Sequence, residues 1–360
     1  FLAVFNKQYR PKLTAIKLAV LFLFLILAVS GIFSPNGERS FWSVPERMTG
    51  LFLWLHLVAF LFMLDHIKDW VKYLSFSVWV SGAVALLPVA QLAFPGIFFD
   101  KITTRLSGSI GNPIFLAAYL LFHVFIAFWL ARHFYRQQKT GQAGWFFAIA
   151  LFDALVVLLT QTRGALLGLL AGLLVLAFSH SRRWTAGILA VLVIFGGIFW
   201  ATRQAAFWQE VPVLNRFVLK DLGVTPRLVS WGVAWKVFQE RPILGWGWEN
   251  FYYPFNSHYN PKLLEYGFGE TRFDKPHNIF LELLATTGLL GTAAYLMLLL
   301  LSFWLSRDWW VRAVLAAYIA QNFFAFDTLT SYLMFFVTLA FIDSAGRNNN
   351  EGQPAVSARR

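Results

Sequence analysis

The stretch "FDKPHNIFLELLATTGLLG", Phe273–Gly291, changes character at its midpoint. Its first half carries Asp274, Lys275, Pro276, His277 and Asn278; from Ile279 onward it is an almost unbroken apolar run. Asp followed closely by Pro reads as a helix start, with Asp274 as the expected N-cap and Pro276 in the first turn. His277 then falls on that first turn. The apolar run beyond it is long enough to cross a bilayer, so the segment reads as a polar loop entering a membrane helix. An ionisable ring is thus placed where water meets the hydrocarbon.

The rest of the chain agrees. It is 58% hydrophobic, 18% aromatic and only 13% charged, too little polar surface to cover a soluble fold of 360 residues. Several runs of about 18 or more mostly apolar residues mark a polytopic helical membrane protein. A net charge of +12 raises the question of nucleic acid. The basic residues fall in short clusters between apolar spans, however, with no basic, aromatic-studded surface, so nucleic-acid binding is set aside. The absence of cysteine excludes disulfides, thiolate chemistry and cysteine metal sites. Leu13–Phe33 is long enough to span and no small-residue cleavage pattern follows, so no cleavable signal peptide is expected.

Ten spans are expected, at 13–33, 48–65, 73–95, 113–131, 144–161, 164–180, 184–201, 278–304, 309–326 and 328–343. Under simple alternation one face collects Lys7, Arg10 and Lys12; Lys68 and Lys72; Arg132, Arg136 and Lys139; Arg182 and Arg183; Arg307; and Arg347, Arg359 and Arg360. By the positive-inside rule that face is cytoplasmic. The other face receives segments 34–47 and 96–112, a tight turn at Gln161–Gly164, and one long loop, 202–276, sized for an external subdomain. Within it "RLVSWGVAWKVFQE" reads as a helix with Leu228, Trp231, Trp235 and Phe238 near one face, followed by a glycine-punctuated turn, "RPILGWGWENF". The expected organisation is therefore N-terminal transmembrane helices over 1–201, the loop subdomain over 202–276, C-terminal transmembrane helices over 277–343 and a disordered tail over 344–360. Two ionisable residues lie inside spans: His123 and Asp153, each roughly 14–15 Å below the outer surface at about 1.5 Å per residue. Both are expected to face the bundle interior, bonding each other or other partners.

Much familiar chemistry is missing. No phosphate loop, dinucleotide fingerprint, HExxH zinc motif or GxSxG elbow occurs, and no Asp-x-Asp pair offers a metal to a sugar nucleotide. What the outer face presents is arginine: Arg105, Arg163, Arg203, Arg216, Arg227, Arg241 and Arg272. The guanidinium fork suits phosphate oxygens without a metal. Each candidate also has a plain structural reading. Arg163 can be a boundary arginine reaching for headgroups, Arg227 a solvated charge and His277 a polar helix-start residue, while Gly245 and Gly247 read as turn glycines.

Four segments in order, "RLSGSIGNPIFLAAYL" (105–120), "TQTRGALLGLL" (160–170), "RLVSWGVAWKVFQERPILGWGWENF" (227–251) and "DKPHNIFLELLATTGLLG" (274–291), resemble the O-antigen ligase and polymerase superfamily of membrane glycosyltransferases. The resemblance implies an all-α, GT-C-like transmembrane bundle working on the outer side of the cytoplasmic (inner) membrane, without metal or other cofactor. Its donor would be an undecaprenyl-diphosphate-linked glycan. The acceptor would be a sugar hydroxyl of the lipid A core in the ligases of lipopolysaccharide biosynthesis, or another lipid-linked glycan in the polymerases. A transporter of lipid-linked glycans is the reading from a different class. It calls for paired discontinuous helices and pseudo-symmetric halves, neither visible in the sequence. Carried over by motif, the SRG-type arginine is Arg163, with Thr162 where Ser is usual; the loop-helix arginine is Arg227; the HN histidine is His277. With Asn278 and Arg105 these form the expected site, His277 catalytic and the others binding diphosphate or substrate. Family members usually have about twelve spans with the large loop after the ninth. Here it follows the seventh, the pattern expected of a chain lacking two N-terminal spans, in line with a first residue that is not methionine.

Overall fold

The computed structural model describes residues 12–94, 105–210, 225–266 and 272–350. No strand occurs among them, and the chain is an all-α, multi-pass membrane protein. Among the described residues eight helices are long and apolar enough to span: α1 (Ala15–Ile32), α4 (Trp70–Ala93), α5 (Pro113–Arg136), α6 (Thr140–Leu159), α7 (Arg163–His180), α8 (Arg182–Thr202), α12 (Ile279–Leu305) and α14 (Leu329–Asn350). The other two expected spans are shorter helices, α3 (Leu51–Met63) of 13 residues and α13 (Trp309–Asn322) of 14. Each is about 20 Å long, against roughly 30 Å of hydrocarbon. Short helices α2 (Gly37–Trp42), α9 (Ala206–Glu210), α10 (Thr225–Glu240) and α11 (Tyr252–Ser257) lie in the connecting segments.

The chain divides into two compact units: Phe1–Lys68 with Pro226–Arg307 and Phe326–Arg360, and Asp69–Thr225 with Asp308–Ala325. In the first, α12 packs on α1, and α3 packs on α1 and α14. A buried ion cluster ties three helix ends together: Lys17 Nζ, fully buried, donates to Asp65 and lies 3.2 Å from Asp343, while Arg347 donates to Asp65 at 2.8 Å. The helix α14 continues through residue 350, where the sequence predicts a disordered tail from 344, and Arg347 within it pairs with Asp65 and Asp343; residues 351–360 lie outside the described residues. At the opposite end of α3, Thr49 bonds Glu249 of the loop subdomain. Within this unit the helix ends bearing Lys17 and Arg347 therefore lie away from the loop, as alternation requires.

The span expected over 278–304 is interrupted. At Gly288 the backbone of α12 takes φ 63° and ψ −159°, and the helix breaks. The loop 242–247 fills the break. Leu289 N–H donates to Pro242 O (2.8 Å) and Leu290 N–H to Ile243 O (3.3 Å), while Trp246 N–H donates to Ala285 O (3.0 Å) and Gly247 N–H to Thr286 O (2.7 Å). Ser30 Oγ on α1 donates to Leu244 O and Thr286 O. Backbone freed inside an apolar medium must be satisfied by protein, and here it is. Gly245 and Gly247 act as the turn glycines expected: both have positive φ, and a Cβ on Gly245 would collide with the Thr286 carbonyl.

The loop helix α10 forms as expected. Val233, Ala234 and Val237 are buried against Phe251, Phe255, Leu263 and Phe273, whereas Leu228 and Trp235 are half exposed. Small and β-branched residues permit the closer approach. Large apolar residues do not mark the inside of a protein that also meets lipid.

The second unit packs α5 on α6 and α7 on α13. Gly164 and Gly168 bring α7 close to Gln321 and Ala317 of α13. His123 and Asp153 are both buried, as expected, but do not bond each other. His123 Nε2 pairs with Ser77 Oγ (2.9 Å), and Ser81 Oγ donates to Asp153 Oδ2 (2.8 Å). The serines are one turn apart on α4, so one helix serves both groups.

The break makes Gly288→Ala an unfavourable change. A Cβ there collides with the Pro242 and Ile243 carbonyls, and positive φ costs a non-glycine residue about 1–3 kcal/mol. Purified Gly288→Ala protein is expected to lose several degrees in Tm; an unchanged Tm contradicts the account of the break. The cysteine-free chain also allows a direct topology measurement. A cysteine at exposed Ser257 is expected to react with an impermeant maleimide in spheroplasts, and one at exposed Gln137 only after lysis. The reverse pattern would overturn the orientation.

Candidate functional site

The segment Asp274–Asn278 is held residue by residue. Arg47 forks onto Asp274, with Nη1 2.5 Å from Oδ2 and Nη2 3.3 Å from Oδ1. Lys275 Nζ donates to Glu249 Oε1 (2.7 Å) and Glu282 Oε1 (2.5 Å). The Pro276 carbonyl accepts from the Trp231 indole at 2.9 Å. His277 Nδ1 lies 3.1 Å from the Lys275 carbonyl. Asn278 Oδ1 accepts from the N–H groups of Phe280 and Leu281.

That last pair corrects the expected helix start. The N-cap of α12 is Asn278, not Asp274, and His277 precedes the helix instead of lying on its first turn. Asp274 is held by Arg47; burial raises its carboxyl, but Arg47, Lys275 and a backbone hydrogen bond together keep it below the usual carboxylate range. His277 instead adopts φ 56°, a left-handed conformation uncommon for a residue with a Cβ. Ser43, Met48 and Glu249, in segments that meet this cluster, also have positive φ. Non-glycine strain of this kind persists only where the surroundings enforce it.

His277 lies edge-on to Phe326, centroids 5.1 Å apart, and to Phe273 at 5.8 Å. Burial lowers its pKa to about 4, and the charges of Arg227 and Arg47 act in the same direction. The Lys275 carbonyl and Asp274 oppose this and lose. The ring is therefore neutral at neutral pH, with burial as the main cause and Arg227 the next. A carbonyl can only accept, so Nδ1 carries the hydrogen and Nε2 is the basic nitrogen.

Lys275 is held above the ordinary lysine value. Burial pushes it down, but the Glu249 and Glu282 carboxylates more than offset this. Glu249 in turn accepts from Ser43 Oγ and Thr49 Oγ1. None of these partners was singled out from the sequence, nor was Arg47, although it lies in the expected outer segment 34–47. The charged residues inside otherwise apolar or aromatic motifs, Glu249 in "GWGWENF" and Glu282 in "IFLELL", were the available signal.

His277, Arg227 and Asn278 thus belong to one constellation in the first unit, where Arg227 acts electrostatically on the ring and Asn278 serves as a helix cap. Arg163 and Arg105 belong to the second unit. Arg163 is the first residue of α7, directly after the short turn 160–162. Arg105 braces that turn, donating from Nε to Thr160 O (3.0 Å) and from Nη2 to Thr162 Oγ1 (2.9 Å). Arg216, another outer arginine, lies outside the described residues.

Residues 146–296 match the family described as O-antigen ligase. The matched stretch begins in α6 and ends in α12, and so contains Arg163, Arg227, Glu249, Lys275, His277 and Glu282. No curated protein matches the chain. The match supports a relation to the O-antigen ligase and polymerase superfamily over this stretch, which is a little over two fifths of the chain and contains three of the four motif segments in full.

Proposed function

We propose that the protein is an O-antigen ligase: it moves a glycan from an undecaprenyl-diphosphate carrier to a sugar hydroxyl of the lipid A core, on the outer face of the inner membrane and without a metal. The observation that carries this reading is the buried, neutral His277, its Nδ1 engaged by a carbonyl and its Nε2 basic, under the electrostatic influence of Arg227. In the step proposed, Nε2 takes the proton of the acceptor hydroxyl as its oxygen bonds to the anomeric carbon of the donor. The bond from that carbon to the diphosphate breaks, and the electron pair leaves with the lipid diphosphate. Arg227 acts on the charge that builds on the leaving group, and the motif assigns Arg163 to diphosphate binding as well. Support for Arg163 comes from its place at the start of α7, where the helix dipole adds to its own positive charge and favours an anion. Arg105 and Asn278 position the segments that carry Arg163 and His277.

A transporter would use discontinuous helices whose freed backbone lines a cavity. The break in α12 is instead filled by loop 242–247, which favours the enzyme.

Transfer from a defined lipid-linked donor by purified protein tests the roles. His277→Ala is expected to lower turnover by about 10²–10⁴-fold with donor affinity intact. Arg163→Lys and Arg227→Lys keep charge but lose the fork, and each is expected to lose transfer sharply while still inserting. Loss of donor affinity in His277→Ala would recast the ring as a phosphate ligand, and full activity in both lysine variants would remove the arginines from the donor site. Accumulation of unmodified lipid A core in a deletion strain is expected for a ligase; accumulation of single lipid-linked repeat units would instead identify a polymerase.

The pH profile provides a separate measurement. Protonating His277 abolishes a base, so activity falls as pH drops through its pKa. Because that pKa is about 4, kcat/KM is expected to stay flat from about pH 8 to about pH 5. Arg227→Gln removes a charge that lowers the pKa and is expected to move the acid limb upward. A wild-type limb at an ordinary histidine value would contradict the buried, neutral ring.

A further inference from the structure

We propose that Lys275 is the positioning residue of His277: its side chain, locked between Glu249 and Glu282, fixes the backbone carbonyl that receives the Nδ1 hydrogen and so leaves Nε2 as the basic nitrogen. This rests on the reading of His277 as the base, and it assigns a role to an ion cluster that the transfer step itself does not use.

The alternative for a lysine beside a phosphate-handling site is that it binds the phosphate. The geometry argues otherwise. Its side chain is 3% exposed, and its ammonium is bonded to two carboxylates at 2.7 and 2.5 Å. The same nitrogen lies over the Trp248 and Phe326 rings, 5.4 and 5.5 Å from their centroids. Three donors are thus enclosed by two carboxylates and aromatic walls, with no direction left for a ligand.

What the cluster does reach is the backbone. Glu249 follows the strap that fills the break in α12, and Glu282 lies on α12 itself, so Lys275 is anchored at once to the loop subdomain and to the helix. Its carbonyl belongs to the same residue as the fixed side chain, and the adjoining peptide is held again by the Trp231 bond to Pro276 O. His277 sits at positive φ directly after. An imidazole in such a position can turn or exchange its proton between nitrogens unless one nitrogen is held; the partner at Nδ1 decides which tautomer faces the substrate.

The test is the tautomer of His277 together with steady-state kinetics. ¹⁵N-histidine NMR of the purified chain, with the His277→Gln variant assigning one signal among the seven histidines, is expected to show His277 neutral with its hydrogen on Nδ1. In Lys275→Met the ring is expected to populate the other tautomer. There kcat should fall about ten- to hundredfold, by analogy with the loss typical when the outer partner of a metal-bound histidine is disturbed, while donor KM stays within about twofold. Lys275→Met leaves two buried carboxylates unpaired and can fail to fold. The triple variant Glu249→Gln, Lys275→Met, Glu282→Gln removes the charges together, and the same tautomer and kcat changes are expected of it. A hydrogen on Nε2 in the wild type overturns the proposal whether or not any variant folds. So does a folded triple variant that keeps the Nδ1–H tautomer and wild-type kcat. The underlying reading fails separately: His277→Ala with full turnover would end the base role and leave the tautomer measurement standing.

Discussion

A helix that breaks where water is scarce must have its freed N–H and C=O groups satisfied by protein, and this constraint organises the first unit. Gly288 opens α12, and the Pro242–Gly247 strap closes the gap with four backbone hydrogen bonds. Because the strap is bonded to α12 and, through Leu244, to Ser30 of α1, the segment that joins α10 to α11 is fastened to two membrane helices. Glu249 follows the strap by two residues and meets Lys275. Thr49 at the start of α3 and Ser43 after α2 close on the same carboxylate. The ring of His277 is therefore placed by a chain of contacts that begins with one glycine in an apolar helix.

How much of this was legible in the sequence follows from how local each feature is. The long apolar spans, the basic clusters between them and the helix over the loop motif depend on neighbouring residues, and the sequence carries them. So does the candidacy of Arg163, Arg227 and His277, through motif. The break was hidden because "ATTGLLG" sits in a run that is apolar on every side, where no periodicity distinguishes a continuous helix from an interrupted one. The helix start at Asn278 was missed because the better-looking cap, Asp274, is taken by Arg47, 227 residues away. The Lys275 cluster likewise joins residues that no window of sequence brings together.

The first unit uses the same device at both ends. Lys17 is shared by Asp65 and Asp343, and Lys275 by Glu249 and Glu282. A buried ion cluster is weak evidence for stability, since an apolar replacement of similar volume is often as stable. Removing one member is another matter: it strands the rest and typically costs about 3–5 kcal/mol. Apolar helix contacts in lipid are poorly directional, and a shared lysine supplies the missing direction. One cluster registers the ends of α1, α3 and α14; the other registers the segment that carries His277.

The charges around His277 also bear on how donor and base would act together. Arg227 and Arg47 disfavour the imidazolium in the empty site, and Arg47 is balanced in part by its fork onto Asp274. On the proposed reading the charge of Arg227 is offered to the donor. A diphosphate bound there brings negative charge near the ring and offsets the arginine's effect, so the ring becomes a better proton acceptor once the donor is in place. By linkage the protonated ring would in turn hold the diphosphate more firmly, at the moment when the leaving group gains charge. Burial alone could keep a histidine neutral, but it would not make that basicity respond to the substrate. An arginine beside the ring does both.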